Sequence, residues 1–482
     1  SFSISFVDEA GNTGTSVTTT TDQSLVNVDT TVPTLTLVKL HSNNDNTSLS
    51  KATETVTLEF TSSEEIEEPS VVINGVAATL TGYGTSWQAT YPVPDYRAKV
   101  LTLAGNGTKD SLDGSGTNAA FYEPYGVVID ASGNLFVTDV GGHRIRKIDP
   151  LGNVTTFAGS GVSGTADGQG TIAQFNEPHA ITIDSAGNLY VADAGNNRIR
   201  KIDSQGYVST IAGTGDEGAN NGPGLTAKFK RPAGITVDVS GNLYIADFYN
   251  HLVRKINSSG IVSTLAGSGS PGSTNGQSTE ASFNMPIGIT TDTSGNIYVS
   301  EWKNHLIRKI DSSGNVTTLA GTQGISGISD DVGTAAKFNT PTGLAIDAAG
   351  NLFVVDAFNN RIRKIDETGH VTTVAGSGLA TSLDDSGLNA SFNGPRKIAV
   401  DAFGNLYVGE YKANLIRKIN LVGDTVNFRV DFADAAGNSG SVDNTTDNSL
   451  VKVDLEAPVI LNDNITSTNQ DPNWAKYGDN VT

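Results

Sequence analysis

The chain repeats itself six times, and this repeat limits what it can fold into more than any other feature. An arginine stands before a Lys–Ile pair in each copy, and successive copies are 54 or 55 residues apart. The six arginines are Arg146, Arg200, Arg254, Arg308, Arg363 and Arg417. One copy of this length cannot bury a core by itself, so neighbouring copies must pack on one another.

Each copy contains four short runs rich in Val, Ile, Thr and Tyr. Gly–Asn pairs such as Gly133–Asn134 and Gly241–Asn242 separate the first two runs, and both residue types tolerate the positive φ of a tight turn. Short β runs joined by such turns predict antiparallel four-stranded sheets. Six of these sheets around one axis form an all-β, six-bladed propeller.

The two ends of the repeated region predict how a ring would close. Residues 99–105 (KVLTLAG) match the fourth run of a copy but follow no other three, while residues 398–420 contain three runs without a fourth. We therefore expect the first segment to complete the last sheet. The chain would then enter and leave the ring on adjacent strands.

Two of the copies carry a recognisable motif. Asn250-His251-Leu252 and Asn304-His305-Leu306 spell the three letters that name the NHL repeat, and residues 97–420 resemble a bacterial-type NHL β-propeller. Three histidines (His143, His251 and His305) occupy a turn position where the other copies have asparagine. That exchange predicts a hydrogen-bonding turn residue rather than a metal ligand.

The flanks contain a second repeat, which the propeller interrupts. Residues 2–12 (FSISFVDEAGN) match residues 428–438 (FRVDFADAAGN), and residues 24–33 match residues 449–458. Removal of the middle leaves a repeat of about 100 residues, the size of an immunoglobulin-like (Ig-like) sandwich. These flanks resemble the tandem Ig-like repeats of large bacterial surface adhesins.

The two repeats together predict the domain organisation. A propeller over 97–420 is inserted into a hairpin loop, between Val93 and Asp424, of an Ig-like sandwich formed by 34–96 and 421–458. Residues 1–33 would be the C-terminal part of a preceding Ig-like repeat, and residues 459–482 the N-terminal part of a following one. We expect the 482 residues to be one segment of a longer protein.

Composition excludes several classes of function. Lys and Arg number 31 against 51 Asp and Glu, and the net charge of −20 disfavours nucleic acid as a partner. The balance is −3 over residues 97–420 and −17 over the rest, so the excess acid lies in the flanks. Cysteine is absent, which excludes disulfides and cysteine-ligated zinc. No apolar run approaches the roughly 20 residues of a membrane span.

Acidic residues of the flanks predict a Ca²⁺ site. They lie beside the prolines at the expected junctions between Ig-like repeats, where several oxygen ligands could converge on a hard cation. The candidate ligands are Asp8, Glu9, Asp29, Asp434 and Asp454. The alternative is that these residues cap turns and keep the protein soluble. No other cofactor is expected.

Departures from the propeller repeat predict a ligand-binding face. The residue after the proline of the first run differs from copy to copy, and so do the residues of the turn between the second and third runs. At both places several copies carry an aromatic or cationic residue. The candidates are Tyr125, His179, Phe248, Tyr249, Trp302, Lys303, Arg396, Tyr411 and Lys412. Such a face suits a glycan or a peptide. The alternative is that the aromatic residues pack between neighbouring blades.

Three functions remain open at this stage. The first is a non-enzymatic segment of an extracellular, cell-surface adhesin or fibre, in which Ig-like stalk domains display the propeller to a surface glycan or protein. The second is a self-assembling filament or surface-layer subunit that contacts neighbouring copies of itself. The third is a propeller lyase or lactonase, although the sequence offers no convergent set of catalytic ligands.

Overall fold

The computed structural model describes residues 32–43, 49–51, 54–73, 76–92, 98–421, 428–433, 439–442 and 452–454, and its elements are strands with short 3₁₀ turns. The chain divides into two compact units. Described residues of 32–50, 54–92 and 428–452 belong to what we call the flanking unit, and residues 98–421 belong to the repeat unit.

The flanking unit begins with a four-stranded antiparallel sheet. Among the described residues, the strands before the repeat unit are β1 (Leu35–Ser42), β2 (Leu49–Lys51), β3 (Thr55–Ser62), β4 (Ser70–Ile73), β5 (Val76–Ala77), β6 (Thr79–Tyr83) and β7 (Ser86–Pro92). The sheet has the order β1-β3-β7-β6. Side chains of a strand alternate between the two faces of a sheet, so Val56, Leu58 and Phe60 of β3 are all buried on one face.

Every copy of the long repeat folds into the same sheet. The strands of the repeat unit are β8 (Ala98–Ala104), β9 (Gly114–Ser115), β10 (Pro124–Ile129), β11 (Leu135–Asp139), β12 (Arg144–Ile148), β13 (Asn153–Ala158), β14 (Gly168–Gln169), β15 (Pro178–Ile183), β16 (Leu189–Asp193), β17 (Arg198–Ile202), β18 (Tyr207–Ala212), β19 (Gly222–Pro223), β20 (Pro232–Val237), β21 (Leu243–Asp247), β22 (Leu252–Ile256), β23 (Ile261–Ala266), β24 (Gly276–Gln277), β25 (Pro286–Thr291), β26 (Ile297–Glu301), β27 (Leu306–Ile310), β28 (Asn315–Ala320), β29 (Asp331–Val332), β30 (Pro341–Ile346), β31 (Leu352–Asp356), β32 (Arg361–Ile365), β33 (His370–Ala375), β34 (Asp385–Ser386), β35 (Pro395–Val400), β36 (Leu406–Glu410) and β37 (Leu415–Leu421). Short 3₁₀ turns lie between them at Gly116–Asn118, Gly170–Ile172, Ala194–Asn196, Gly224–Thr226, Phe248–Asn250, Ser278–Glu280, Gly333–Ala335, Ala357–Asn359 and Gly387–Asn389.

Residues 98–421 thus form six five-stranded sheets, each with four main strands and a two-residue strand paired to the fourth. The first main strands of the sheets are β10, β15, β20, β25, β30 and β35. Each of these contacts the next in sequence, and β35 also contacts β10. We call them the inner strands, and each begins at a proline. The sequence predicted the four main strands but not the short fifth one.

The sixth sheet joins the two ends of the repeat unit. Strand β8 pairs with β37, as the sequence predicted for residues 99–105. Ala98 lies opposite Leu421, and Leu101 lies opposite Lys418. The first and last described residues of this unit are therefore neighbours in one sheet.

The repeated arginines hold each sheet together from inside. The side chain of Arg200 is buried, and its guanidinium donates to Asp193 at 2.9 Å and to Asp167 at 2.7 Å. The same group donates to the carbonyls of Gln174 and Ala166 and lies 5.1 Å from the Phe175 ring. One side chain thus ties the third main strand to the second and to the loop that precedes the sheet.

All six copies use this contact set. The buried acid partners of the arginines are Asp139, Asp193, Asp247, Glu301, Asp356 and Glu410. The loop partners are Asp113, Asp167, Asn221, Asn275, Asp330 and Asp384. The recurring Asp and Asn residues of these loops are therefore structural acceptors for arginine.

The strands after the repeat unit are β38 (Phe428–Ala433), β39 (Ser439–Val442) and β40 (Lys452–Asp454). Strands β38 and β39 join β4 and β5 in a second four-stranded sheet of order β39-β38-β4-β5, and β40 pairs with β2. Segments from before and after the repeat unit therefore share one sheet.

The predicted hairpin between Val93 and Asp424 is wrong. The strand before the repeat unit, β7, lies between β3 and β6, whereas the strand after it, β38, lies between β4 and β39. Both edges of each strand are occupied, so β7 and β38 cannot pair with each other. The interrupted connection runs from one sheet of the flanking unit to the other.

Candidate ligand-binding pocket

A pocket of about 510 Å³ lies where the inner strands begin. The residue after the opening proline lines it in five of the six sheets, and these residues are Tyr125, His179, Ala233, Ile287 and Arg396. Because the inner strands contact one another side by side, the same position in each strand reaches the same place. The pocket is thus built by a position that the repeat leaves free to vary.

The structure brings most of the predicted ligand face to this pocket. The predicted residues that line it are Tyr125, His179, Phe248, Tyr249, Trp302, Arg396 and Tyr411. Lys303 and Lys412 are exposed and are not part of the lining. Whether the pocket binds a ligand stays a prediction.

One wall is a row of aromatic side chains. The ring centroids of Phe248 and Tyr249 are 4.8 Å apart, and those of Phe248 and Trp302 are 6.2 Å apart. Trp302 also contacts Phe358 at 5.6 Å, with the rings nearly perpendicular at 76°. These aromatic residues therefore also pack between neighbouring sheets, which was the alternative predicted from the sequence. These contacts fix the rings in place while Tyr249 keeps 44% of its surface exposed.

The opposite wall combines aromatic and titratable groups. Tyr125 stacks on His179 with centroids 4.8 Å apart, and it meets the edge of Tyr411 at 6.1 Å. Burial, together with the nearby cations Arg231, Lys397 and Arg396, lowers the pKa of His179 to about 3. This imidazole is therefore neutral at physiological pH.

Arg396 is the buried cation of the pocket. It is 8% exposed, and its guanidinium carbon lies 5.8 Å from the Trp302 ring, 6.0 Å from Phe358 and 5.3 Å from Tyr411. Its Nη1 is buried without a hydrogen-bond partner among the described residues. Cation–π contacts stabilise the charge, but they leave hydrogen-bond donors available.

In three of the six sheets the residue before the opening proline supplies further lining that the sequence did not predict. Glu123, Glu177 and Arg231 line the pocket with φ of 62°, 48° and 53°. The residues before the other three opening prolines have φ between 56° and 68° as well, so this left-handed conformation belongs to the repeat. The sequence could have indicated these residues, because the position before the opening proline varies from copy to copy just as the position after it does.

The turn histidines hold these left-handed residues. Nδ1 of His143 accepts a hydrogen bond from the Glu177 N–H at 3.2 Å, and Nδ1 of His251 accepts one from Met285 at 3.1 Å. In the copies with asparagine, Oδ1 takes the same role; Asn197 accepts from the Arg231 N–H at 2.8 Å. The histidines are hydrogen-bonding turn residues, as predicted.

A second buried cation lies beside the pocket. Lys397 lines a separate cavity of about 40 Å³ among the inner strands, and its Nζ donates to the Ile287 carbonyl at 2.6 Å. Burial lowers the pKa of Lys397 to about 7. Near neutral pH the Lys397 amine is therefore uncharged in a substantial share of the molecules.

The predicted Ca²⁺ site falls largely outside the described residues. Asp8, Glu9, Asp29 and Asp434 are not described, and Asp454 is described only as backbone of β40. Within the described ranges, no group of three His, Asp or Glu side chains is placed to hold a metal ion. The calcium site stays a prediction. None of the described segments is a helix long and apolar enough to cross a membrane.

Comparison with known proteins supports the fold. The NHL repeat family matches residues 121–148, 175–202, 229–256 and 283–310. The chain is 32% identical over 286 residues to Protein SUPPRESSOR OF QUENCHING 1, chloroplastic, of Arabidopsis thaliana, covering 55% of this chain and 27% of that protein. It is 30% identical over 292 residues to NHL repeat-containing protein 2 of Homo sapiens, covering 53% and 40%.

Two further similarities extend the comparison. Teneurin-4 of Homo sapiens is 27% identical over 370 residues, covering 66% of this chain and 13% of that protein. An auxiliary nutrient binding protein from Bacteroides thetaiotaomicron has a similar structure, with a TM-score of 0.53 at 17% identity, covering 79% of this chain and 97% of that one. This chain thus carries NHL repeats and an NHL β-propeller, and it spans less than half the length of the curated relatives named here.

Proposed function

We propose that the repeat unit is a six-bladed NHL propeller closed by β8, and that it acts as a non-enzymatic binding module. The observation that carries this proposal is the pocket at the start of the inner strands. Five of the six inner strands contribute to it the residue after their opening proline, a position whose identity does not recur. Because the sheets are alike but their pocket residues differ, the pocket can present a specific set of groups to one ligand.

The size and chemistry of the pocket fit a small organic ligand or the end of a larger one. Ligand pockets commonly enclose 300–1,000 Å³ and combine apolar walls with a few polar groups, and this pocket has about 510 Å³. Rigid aromatic side chains supply contact area with little loss of conformational entropy. We propose a glycan or a peptide as the ligand class.

We further propose that the flanking unit is an Ig-like sandwich and that the chain is part of an extracellular, cell-surface adhesin or fibre. The support is the duplicated segment at 2–12 and 428–438 and the two four-stranded sheets of the flanking unit. The similarity of fold to a protein named as nutrient-binding agrees with a role in binding. The partner would be a surface glycan or protein.

The test is a binding screen of the full chain, residues 1–482, on a glycan array and a peptide library. The same screen with Trp302→Ala identifies signals that need the pocket. We expect at least one ligand class to bind the wild type and to lose binding in the variant. Absence of any pocket-dependent ligand, with regular self-assembly of the purified protein, would instead favour the filament function.

A further inference from the structure

Arg396 differs from the other fully or nearly fully buried arginines of the described residues. Each of the six repeated arginines has a buried carboxylate within 3.3 Å, whereas no carboxylate of the described residues lies in ion-pair distance of Arg396. Burial of a charge without a charged or hydrogen-bonding partner is costly. The neighbouring Trp302, Phe358 and Tyr411 offset that cost only in part.

The other charges at the pocket already have partners. Arg231 pairs with Glu177 at 2.6 Å, and Glu123 pairs with Lys109 at 2.7 Å. Lys397 donates to a carbonyl in its separate cavity. Arg396 therefore leaves the pocket lining with one unmatched positive charge.

We infer that the pocket proposed above as a binding site takes a glycan through a uronic acid residue, whose carboxylate binds the Arg396 guanidinium while the sugar ring packs against the aromatic wall. This inference rests on the proposed function and names its ligand class. The planar guanidinium presents parallel N–H donors that match the two oxygens of a carboxylate. Arg396 lines the pocket, and its guanidinium would gain a charged partner that the described residues do not supply.

The charge count favours a carboxylate over a phosphate monoester. One unmatched cation balances a group of charge −1, whereas a phosphate monoester carries about −1.5 to −2 at neutral pH. A single carboxylate on an otherwise neutral ring matches that charge.

The polar rim favours a sugar over a peptide terminus. Glu123, Glu177 and the Tyr411 hydroxyl lie on the same lining as Arg396. Carboxylates accept hydrogen bonds from O–H and N–H donors, and a sugar ring offers several hydroxyls close together, whereas a peptide offers one backbone N–H per residue. The flat faces of Trp302 and Phe248 suit the apolar face of a sugar ring.

The experiment is isothermal titration calorimetry of the full chain with methyl uronides of gluco, galacto and manno configuration. Each uronide is compared with its methyl ester and with the neutral methyl glycoside. We expect at least one uronide to bind, and we expect esterification to weaken that binding about 10- to 100-fold, because a charge-assisted hydrogen bond is lost.

Matched variants show whether Arg396 is the group responsible. Arg396→Met should weaken uronide binding about as much as esterification does and should bind uronide and ester alike. Arg396→Lys keeps the positive charge but loses the paired N–H donors of the guanidinium, so its affinity for the uronide should lie between those of the wild type and Arg396→Met. Other copies hold Ile, Ala or Thr at this position, so the fold tolerates the loss of arginine. The control is Arg361→Leu. Arg361 lies outside the pocket lining, and two other copies have leucine at the same repeat position (Leu252 and Leu306), so this variant should bind the uronide as the wild type does.

Four results would overturn the inference. Equal binding of uronide and ester would exclude a role for the carboxylate. Tighter binding of a sulfated or phosphorylated sugar would identify another anion. Binding of a peptide or a neutral glycan with no uronide binding would reject the ligand class yet leave the binding module intact. Failure of every glycan and peptide would reject the proposed function as well.

Discussion

The six repeated arginines and Arg396 are all buried, yet they serve different purposes. Arg200 has two acids, two carbonyls and an aromatic ring as partners, whereas Arg396 has three rings and, in the part of the chain that the structure describes, no acid. The charge of the repeated arginine is matched within the protein. A buried charge that recurs in every copy together with its partners therefore indicates a structural role. A buried charge that occurs once and lacks such partners indicates a binding site.

The largest effect should come from removal of a repeated arginine. Arg254→Met leaves Asp247 buried without its ion pair, and loss of one partner of a buried pair costs about 3–5 kcal/mol. Chemical denaturation measures this loss. Arg396→Met is the control, because it removes a buried charge that has no acid partner; we expect it to leave stability unchanged or to raise it. Equal destabilisation by both variants would break the comparison.

The next effect concerns the aromatic wall. Trp302→Ala removes contacts with Phe248, Phe358 and Arg396, so we expect affinity for the pocket ligand to fall about 10- to 100-fold, as for a central aromatic anchor. Titration calorimetry measures the change. Tyr207→Ala removes an aromatic side chain that is 47% exposed on β18, outside the pocket lining, and should not alter binding. A similar loss in both variants would mean that the pocket is not the site.

A smaller effect separates the turn residues from ligands. His251→Asn keeps an acceptor for the Met285 N–H and a residue that tolerates the φ of 56°, so stability should change by less than about 0.5 kcal/mol. His251→Ala removes the acceptor and should cost about 1–2 kcal/mol. Thermal and chemical denaturation test the pair. Equal stability of the two variants would show that the hydrogen bond is not needed.

The smallest effect is a pH dependence of stability. Burial lowers the pKa of His143, His251 and His305 below the ordinary value of 6.5. The unfolded chain therefore binds more protons than the folded one, and this contribution to stability is full above pH 6.5 and is lost as the pH falls toward the folded pKa. The variant with all three histidines changed to asparagine should lose less stability than the wild type between pH 7 and 5. Parallel profiles would contradict the assignment.

Much of the fold and part of the site could be predicted from the sequence. The four main strands of each sheet and the pairing of β8 with β37 follow from a period of 54 or 55 residues, because identical copies must fold alike. Tyr125, His179 and Arg396 could be found because they break that period. Glu123, Glu177 and Arg231 were missed, although their position varies too, because a residue before proline rarely has a left-handed φ.

The sequence by itself determined the repeating units of this protein and which of their positions differ. Local turn chemistry and alternation of apolar residues act within one copy, so both can be read without coordinates. Only the tertiary structure decided that Lys303 and Lys412 lie outside the pocket, that β7 and β38 lie in different sheets, and that Arg396 has no acid partner. These facts depend on which strands share an edge and which side chains meet across copies, and such distances are set by packing between segments far apart in the chain.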